Sequence, residues 1–365
     1  MERKKDQVYG QLKRAIMDET LPPGSRLPTE IRLARSLAVG QVTLRSALAR
    51  LEAEGLVERI RSRGTFVTER SRRRTFLLIQ PDGTETLETP SRYIAAGLEE
   101  EAEKRSVTLE VCPESLFVAF TPGERREVVR TRSISGVILE TGHRRIPPNV
   151  AAAVRELGLP TVIPHGLRGD ASAGFFVLRT DEKKAFSNAF LYLKKHGHRR
   201  IASLFLQMPE ENPGELRGFS RGELDAFLAS NGLASARRYI AAVPNVREAI
   251  REQIAAWFGS SEPPTAILCH SDRIAMRVYG ILREMALRVP DDVSVMGYSN
   301  YPGGQLLTPP LTTVDTRLRE CARLAIGKLF ESGNWFADAS APREAFTPCL
   351  LIERGSVAGP GKDNG

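Results

Sequence analysis

Between residues 76 and 296 the chain alternates short apolar runs with longer amphipathic ones, and this alternation restricts its possible folds more than any other feature. The apolar runs have the length of buried strands: Phe76–Ile79, Gly136–Leu139, Thr161–Ile163, Ile201–Phe205, Ala266–Cys269 and Val293–Met296. The amphipathic runs have a helical period: Tyr93–Lys104, Lys183–His196, Glu223–Ser230, Val246–Phe258 and Asp272–Met285. Strands that alternate with helices form parallel sheets, which bind ligands at the carboxyl ends of their strands. We therefore expect an α/β region of two half-sheets, with a cleft between two lobes.

The first fifth of the chain carries all of its excess charge. Residues 1–74 contain 17 Lys and Arg and 9 Asp and Glu, a formal charge of +8, whereas the rest of the chain contains 35 of each. A length of 365 residues already favours two or three domains. The charge distribution predicts a basic module that meets a polyanion, joined to a neutral module with another task.

Several classes of protein fit the sequence poorly. No apolar run approaches the roughly 18 residues that span a bilayer, and the charged start is unlike a cleavable signal, so we expect a cytoplasmic protein. The four cysteines are widely spaced and form no CxxC pair, which indicates reduced structural thiols. His196 and His198 have no third ligand at a metal-binding spacing, so no metal site is predicted, and no cofactor is expected.

The basic module has the pattern of a helix-turn-helix followed by a hairpin. A first helix over about 3–18 ends before Leu21-Pro-Pro-Gly24, because proline cannot continue it. A second helix starts at Thr29 as its N-cap, and a third runs from Gln41 to Glu54, with Gly55 as its C-terminal stop. Their expected inward positions are Ile31, Ala34, Leu37, Leu44, Leu48 and Leu51. Residues 56–60 and 65–68 alternate like two strands. We predict an α+β winged helix-turn-helix at 1–68 and a basic linker at 69–75.

Polar side chains at the start of the third helix are expected to contact DNA. Gln41, Thr43, Arg45 and Ser46 lie opposite the apolar face of this helix. Their short or forked groups suit phosphates and base edges in a major groove. Arg61 and Arg63 add positive charge at the tip of the wing.

The module resembles the winged-helix domain of the GntR family of bacterial transcription regulators. The matching stretches are Leu21-Pro-Pro-Gly-Ser-Arg-Leu-Pro-Thr-Glu30, Thr43-Leu-Arg-Ser-Ala-Leu48, Leu51-Glu-Ala-Glu-Gly-Leu-Val57 and Gly64-Thr-Phe-Val67. The resemblance implies DNA contacts by Glu30, Arg32, Thr43, Arg45 and the wing with Gly64. This chain departs from the family where Ile31 replaces a frequent Arg, Gly40-Gln41 replaces Ser-Arg, and Ser62 replaces the first wing Gly. These departures predict an operator that differs from those of better-matched relatives.

Residues 76–355 resemble the sensor domain of the LacI family, which shares its two-lobed fold with periplasmic sugar-binding proteins. The match is carried by Asp181 and by four stretches, namely 193–202, 264–272, 287–298 and 310–314. The resemblance implies a first lobe at about 76–197 and 316–335, a second at about 198–315 and 336–355, and a flexible tail at 356–365. A GntR head on a LacI-like body is similar to the arabinose-repressor group, which governs carbohydrate-use genes and responds to an effector.

The same resemblance implies which residues line the effector cleft. They are Pro81, Asp82, Asp181, either Arg217 or Arg221, Ser271, Asp272 and Ser299. The family usually has Asn at position 271 and Asp at position 299, and a Ser hydroxyl cannot accept two sugar hydroxyls as a carboxylate can. The ligand is therefore expected to differ from the family's usual ones. Four aromatic residues either stack on a sugar ring or lie in the core: Phe175, Phe176, Tyr298 and Tyr301.

Ser299 does not have the surroundings of a catalytic nucleophile. Gly297-Tyr-Ser-Asn-Tyr301 lacks the second Gly of a nucleophile elbow and runs into a loop, so no enzyme is predicted. We expect a repressor that binds a pseudo-palindromic DNA operator as a homodimer and responds to a sugar-like molecule. Two alternatives remain open: a DNA-binding regulator whose sensor domain binds no ligand, and a solute-binding protein.

Overall fold

The amino-terminal module is a winged helix-turn-helix, as predicted. The computed structural model describes residues 4–17, 20–60, 63–68, 74–83, 90–167, 169–207, 215–216, 218–336, 338 and 340–360. The head consists of helices α1 (Lys4–Met17), α2 (Glu30–Ser36) and α3 (Gln41–Ala53) and an antiparallel hairpin of β1 (Val57–Ile60) and β2 (Gly64–Val67). The apolar faces of α1 and α3 pack together, which leaves the opposite side of α3 facing outward.

The prediction that Ile31 lies in the core of the head is wrong. Ile31 is 60% exposed, and Leu33 is buried instead at 7% exposure. The seven residues of α2 make two turns, which is too short for the apolar period to choose between its faces. Thr29 stands at the N-cap position, but its side chain makes no capping hydrogen bond.

The first lobe is built on a six-stranded parallel sheet. Its strands are β3 (Thr75–Gln80), β4 (Thr108–Pro113), β5 (Ile134–Leu139), β6 (Thr161–Ile163), β7 (Phe176–Thr180) and β15 (Glu344–Thr347), in the spatial order β4-β3-β5-β6-β7-β15. Its helices are α4 (Pro90–Lys104), α5 (Glu114–Ala119), α6 (Pro122–Thr131), α7 (Pro148–Arg155), α12 (Leu318–Phe330) and α13 (Ser332–Trp335). Gly97 lets α4 and α12 approach closely, because a Cβ there would lie 2.9 Å from the Cβ of Ala322.

The second lobe repeats this plan. Its main strands are β8 (Ile201–Leu206), β11 (Ile240–Val243), β12 (Ala266–Cys269), β13 (Ser294–Tyr298), β14 (Thr312–Asp315) and β16 (Leu350–Ile352), in the order β11-β8-β12-β13-β14-β16, with β16 antiparallel. A short hairpin joins β9 (Glu215–Leu216) and β10 (Phe219–Ser220). The helices are α8 (Glu182–Lys195), α9 (Arg221–Ser230), α10 (Arg247–Phe258) and α11 (Asp272–Glu284). Together the two sheets form the predicted two-lobed α/β fold.

Two of the predicted lobe boundaries are wrong. Helix α8, expected in the first lobe, buries Phe186, Phe190 and Leu193 in the core of the second lobe, so the chain crosses between β7 and α8. Strand β15, expected in the second lobe, pairs with β7 at the edge of the first sheet, so the last crossing lies between β15 and β16. Both assignments depend on long-range packing that local apolar patterns do not contain.

The prediction of a flexible tail is wrong for residues 356–360. Ser356 is fully buried, where its Oγ donates to the carbonyl oxygen of Val295 at 2.6 Å and accepts from the Thr312 backbone N at 2.7 Å. The carbonyl oxygen of Ala358 accepts from Ser294 Oγ at 3.1 Å. These bonds fasten the segment to the second lobe, while residues 361–365 lie outside the described part of the chain.

Candidate functional site

The outward face of α3 carries the predicted DNA contacts. Gln41, Arg45 and Ser46 are exposed, as is Arg32 on α2, whereas Thr43 is half-buried. No acidic residue occupies the first turn of α3. The positive end of the helix dipole therefore has no competing carboxylate on the same turn, which suits an anion.

Glu30 orients Arg45. Arg45 Nε donates to Glu30 Oε2 at 2.7 Å, although the Arg45 side chain is 61% exposed. This bond uses one nitrogen of the guanidinium and holds the group on the surface of α3. Arg59 of β1 also donates to the carbonyl oxygen of Arg45 at 3.3 Å, which joins the wing to the helix. The bond between Arg45 and Glu30 gives Glu30 an orienting role in addition to the direct DNA contact that the resemblance implies.

The wing needs glycine at position 64. Gly64 has a φ of 116°, and a Cβ there would lie 2.9 Å from Arg26 Nε. Arg63 is exposed, with its guanidinium carbon 5.9 Å from the ring centre of Phe66. Arg61, predicted at the same tip, lies outside the described residues.

The carboxyl ends of the first lobe's strands hold buried polar groups. Glu140 and Thr141 follow β5, Thr180 ends β7, and none of the three is more than 5% exposed. Among the described residues, Thr141 Oγ1 and Thr180 Oγ1 have no hydrogen-bond partner, whereas the Glu140 carboxyl accepts from the Gly142 backbone N at 2.8 Å and bonds to Ser91. Burial raises the pKa of Glu140. Because buried polar atoms normally have partners, this strand edge is a candidate ligand site.

Two histidines extend this cluster towards the second lobe. His143, after β5, stacks on His165, after β6, with ring centroids 4.2 Å apart. His143 Nε2 lies 3.5 Å from Glu182 Oε1 at the start of α8, longer than a good hydrogen bond. Neither ring nitrogen of His143 has a hydrogen-bond partner among the described residues. The carboxyl edge of the first sheet thus faces α8 of the second lobe.

The facing part of the second lobe is a strained loop. Ser299 has a φ of 108°, which a non-glycine residue adopts at a cost of roughly 1–3 kcal/mol, and Asn300 has a φ of 56°, which asparagine tolerates. The Ser299 backbone N donates to the carbonyl oxygen of Val314 at 2.7 Å, and Arg354 Nη2 donates to Asn300 Oδ1 at 2.7 Å. Ser271, 8% exposed, makes no capping hydrogen bond to α11. Strain held in this way is typical of a binding loop.

Asp272 supports this loop and does not face a ligand, so its predicted role is wrong. The residue is fully buried, with Oδ2 accepting from the Tyr301 backbone N at 2.6 Å and Oδ1 accepting from Thr313 Oγ1 at 2.5 Å. Burial raises its pKa to about 6. Both carboxylate oxygens are therefore committed to the protein.

Phe176 and Tyr298 are core residues, which decides between the two predicted alternatives. Phe176 packs 5.2 Å from the ring centre of Trp335, and Tyr298 packs 4.9 Å from that of Phe186. Tyr301 has a different role, because it stacks at 4.9 Å and 9° on Tyr93 of α4 and so joins the two lobes.

The other predicted cleft residues lie at the ends of elements. Asp181 is exposed at the N-cap of α8 and accepts from the Lys184 backbone N at 3.1 Å. Asp82, next to Pro81, accepts from Ser115 Oγ at 2.6 Å, a bond that lowers its pKa. Arg221 is exposed at the start of α9, whereas Arg217 lies outside the described residues. These residues surround the carboxyl edges without forming one cluster.

Sequence reasoning missed the polar cluster of the first lobe. Its members are separated along the chain and share no motif: Glu140, Thr141, His143, His165 and Thr180. The available signal was their position just after apolar runs, where ligands of parallel sheets bind.

Other kinds of site are not seen in the described ranges. No helix there is long and apolar enough to cross a membrane. No group of three His, Cys, Asp or Glu side chains there could hold a metal ion. His198 instead contacts Thr265 Oγ1 at 2.9 Å and the carbonyl oxygen of Ala358 at 2.8 Å, which gives it a structural role.

Solved structures resemble the two-lobed region. A regulatory protein of the LacI family from Chloroflexus aggregans covers 78% of this chain and 98% of its own, with 21% identity and a TM-score of 0.61. A LacI-family regulator from Arthrobacter sp. FB24, in complex with lactose, covers 78% and 99%, with 23% identity and a TM-score of 0.59. At this identity the likeness establishes the fold.

Two family models and curated relatives establish the family. The model "Bacterial regulatory proteins, gntR family" matches residues 4–67, and the model "Periplasmic binding protein-like domain" matches residues 190–357. The arabinose metabolism transcriptional repressor of Geobacillus stearothermophilus is 26% identical over 84% of this chain and 85% of its own length. A probable opine utilization operon repressor of Rhizobium rhizogenes is 31% identical over 51% of this chain and 94% of its own. The protein belongs to the bacterial transcription regulators that join a gntR-family DNA-binding domain to a periplasmic binding protein-like domain.

Proposed function

We propose that this regulator is a cytoplasmic repressor, without enzymatic activity, that binds a pseudo-palindromic operator as a homodimer and responds to a small polyhydroxylated molecule between its lobes. The observation that carries the effector is that Thr141 Oγ1 and Thr180 Oγ1, buried at the carboxyl ends of β5 and β7, have no partner in the part of the chain that the structure describes. Such atoms are costly unless they gain a partner, and a ligand with several hydroxyl groups supplies one for each.

The proposed site uses both lobes. On the first, Glu140, Thr141, His143 and Thr180 offer hydrogen-bonding groups to ligand hydroxyls. On the second, the hydroxyls of Ser271 and Ser299 approach from the opposite side. Ligand held by both walls favours the closed arrangement, and its binding free energy shifts the equilibrium between open and closed lobes. Closure then changes the separation of the paired heads on DNA.

The relatives support the choice of ligand class. One solved relative is described as a complex with lactose and another as having bound ribose. The arabinose and opine repressors are named for genes of nutrient use. For the arginine at this site we propose Arg221, since the preceding Gly218 lies beside α8, with its Cβ position 3.3 Å from the Lys183 backbone N.

The test combines DNA binding with ligand screening. Full-length protein should prefer the DNA upstream of its own gene over random duplex at physiological salt. In a thermal-shift panel of pentoses, hexoses, sugar acids and opines, a ligand at 100 times its dissociation constant should stabilise the protein by about 2.7 kcal/mol. That ligand should also change the affinity for the operator.

A double variant, Thr141→Val with Thr180→Val, keeps the side-chain shape but removes both hydroxyls. It should lose the thermal stabilisation by the ligand while still binding the operator. Thr131→Val with Thr108→Val removes two exposed hydroxyls outside the cleft and outside the head, and serves as the control. Operator binding with no response to any compound would leave a regulator without an effector in this cleft. Equal affinity for the upstream DNA and for random duplex would contradict the proposed function as a whole.

A further inference from the structure

Two large apolar side chains stand exposed on the DNA-binding face of the head. Val42 is 82% exposed and Ile31 is 60% exposed, and each is the second residue of its helix. A single exposed apolar residue is ordinary on a protein surface. These two lie where the head is expected to meet DNA, and there each uses a position that a hydrogen-bonding side chain could fill.

The geometry of α3 places Val42 among the predicted contacts. Leu44, Ala47, Leu48 and Leu51 are buried, so the opposite stripe faces outward. The members of that stripe are Val42, Arg45, Ser46 and Ala49, all exposed and spaced by three or four residues. Val42 thus stands one turn before Arg45, at the end of the helix that reaches base edges in this class of domain.

The ion pair between the helices brings the start of α2, where Ile31 lies, close to this face of α3. Arg45 Nε donates to Glu30 Oε2 at 2.7 Å, which ties the first turn of α2 to the first turns of α3. Ile31 directly follows Glu30 and points into solvent, not into the core. The face therefore combines a guanidinium with two branched hydrocarbon groups.

Hydrocarbon side chains have one matching feature in the major groove. They cannot hydrogen-bond to phosphates or to the donors and acceptors of base edges. Only thymine displays a methyl group there. We infer that Val42 reads a thymine methyl group within each half-site, and that Ile31 covers a second one beside it. This inference rests on the proposed operator binding and adds which base the apolar part of the face selects.

The experiment uses thymine-to-uracil exchange, which removes only the methyl group. The full-length protein first selects its preferred duplexes from a random pool. Each thymine of the selected sequence is then replaced singly by deoxyuridine and the affinity is measured. At one position per half-site, or two with Ile31, the wild type should lose about three- to fivefold, the value of one buried methyl-sized group.

The decisive measurement is the coupling between protein and base. Val42→Ala should weaken binding to thymine DNA by a similar factor and should not respond to uracil at the position that Val42 reads. Ile31→Ala should behave likewise at its own position. Val246→Ala, which trims a valine 51% exposed in the second lobe, is the matched control and should behave like wild type. Arg45→Ala should lose affinity without changing the response to uracil.

The outcomes separate the two proposals. If uracil exchange has no effect at any thymine, or if its effect adds to that of Val42→Ala without coupling, the inference is overturned while operator binding stands. An equal loss on random duplexes would place Val42 against the backbone and overturn the inference too. If no duplex is selected from the pool, operator binding itself fails and the inference fails with it.

Discussion

Ser299 owes its position to a buried carboxylate two elements away. Asp272 holds the Tyr301 backbone, and a Cβ on Gly297 would lie 2.1 Å from Asp272 Oδ1. Glycine is therefore required at 297 for the strand to pass over Asp272. The glycine two residues before Ser299 is thus explained by packing, because it makes room for the Asp272 carboxylate.

The same carboxylate makes stability depend on pH. Burial raises the pKa of Asp272 from an ordinary 3.8 to about 6, so between these values the folded protein keeps a proton that the unfolded chain releases. The stabilisation is complete below about pH 4 and is lost as the pH rises through 6. Asp272→Asn cannot ionise and still accepts from Tyr301. Relative to this variant, the wild type should lose up to about 3 kcal/mol of unfolding free energy between pH 4 and pH 7.

Denaturant titrations at several pH values measure this difference. Asp291→Asn, at an exposed position three residues before β13, serves as the control and should run parallel to wild type. Parallel curves for Asp272→Asn as well would show that Asp272 titrates normally.

At the level of elements, the contact between the loop after β13 and helix α4 joins the lobes. Tyr301 is 4% exposed, packs in the core of the first lobe and stacks on Tyr93. The loop that carries Ser299, for which we propose a ligand contact, is thus anchored in the opposite lobe through a side chain two residues later. Any movement of one lobe against the other that displaces this loop must break or carry along the Tyr93–Tyr301 stack.

Removing the stack should loosen the loop. Tyr93→Leu keeps an apolar side chain but loses the ring pair, worth about 0.5–1.5 kcal/mol. The backbone amide of Tyr301, which donates to Asp272, should then exchange its hydrogen about 2- to 12-fold faster. This factor follows because losing the ring pair raises the population of the open loop by the same free energy. Phe346→Leu on the exposed edge strand β15 is the control. Unchanged exchange at Tyr301 would show that the loop is held without Tyr93.

The elements themselves were largely predictable, because apolar runs of strand length and periodic runs of helix length are local properties. The six predicted strands correspond to β3, β5, β6, β8, β12 and β13. Lobe membership was not predictable, since α8 and β15 are placed by residues far away in the chain. Ile31 was misplaced because two turns of helix do not define a face. The stacking of His143 on His165 could not be predicted, because the two residues are 22 positions apart in the chain and are brought together only by the sheet.

For the whole molecule, the basic head and the neutral two-lobed body predict a geometric dependence on DNA. In a homodimer the two recognition helices lie one helical turn apart, or a multiple of it, along the duplex. Inserting about 5 base pairs between half-sites turns one of them to the opposite side of the DNA and should reduce affinity to that of a single head. Insertion of about 10 base pairs should restore part of the loss.

Gel-shift titrations with the wild-type spacing and both insertions make this measurement, with the salt concentration held constant. Equal affinity for all three duplexes would indicate that each head binds independently, and the homodimer proposal would not survive that result.

The segment at 356–360 is hydrogen-bonded along the second sheet and links its strands. The Ser356 hydroxyl bonds to both β13 and β14, and the carbonyl oxygen of Ala358 bonds to His198, just before β8. An affinity tag or reporter therefore belongs beyond residue 360. A chain that ends at residue 355 would lose the hydrogen bonds of Ser356 and Ala358 to the second sheet, which supports the strained loop. Such a truncation should weaken the proposed ligand recognition without removing any residue of the cleft.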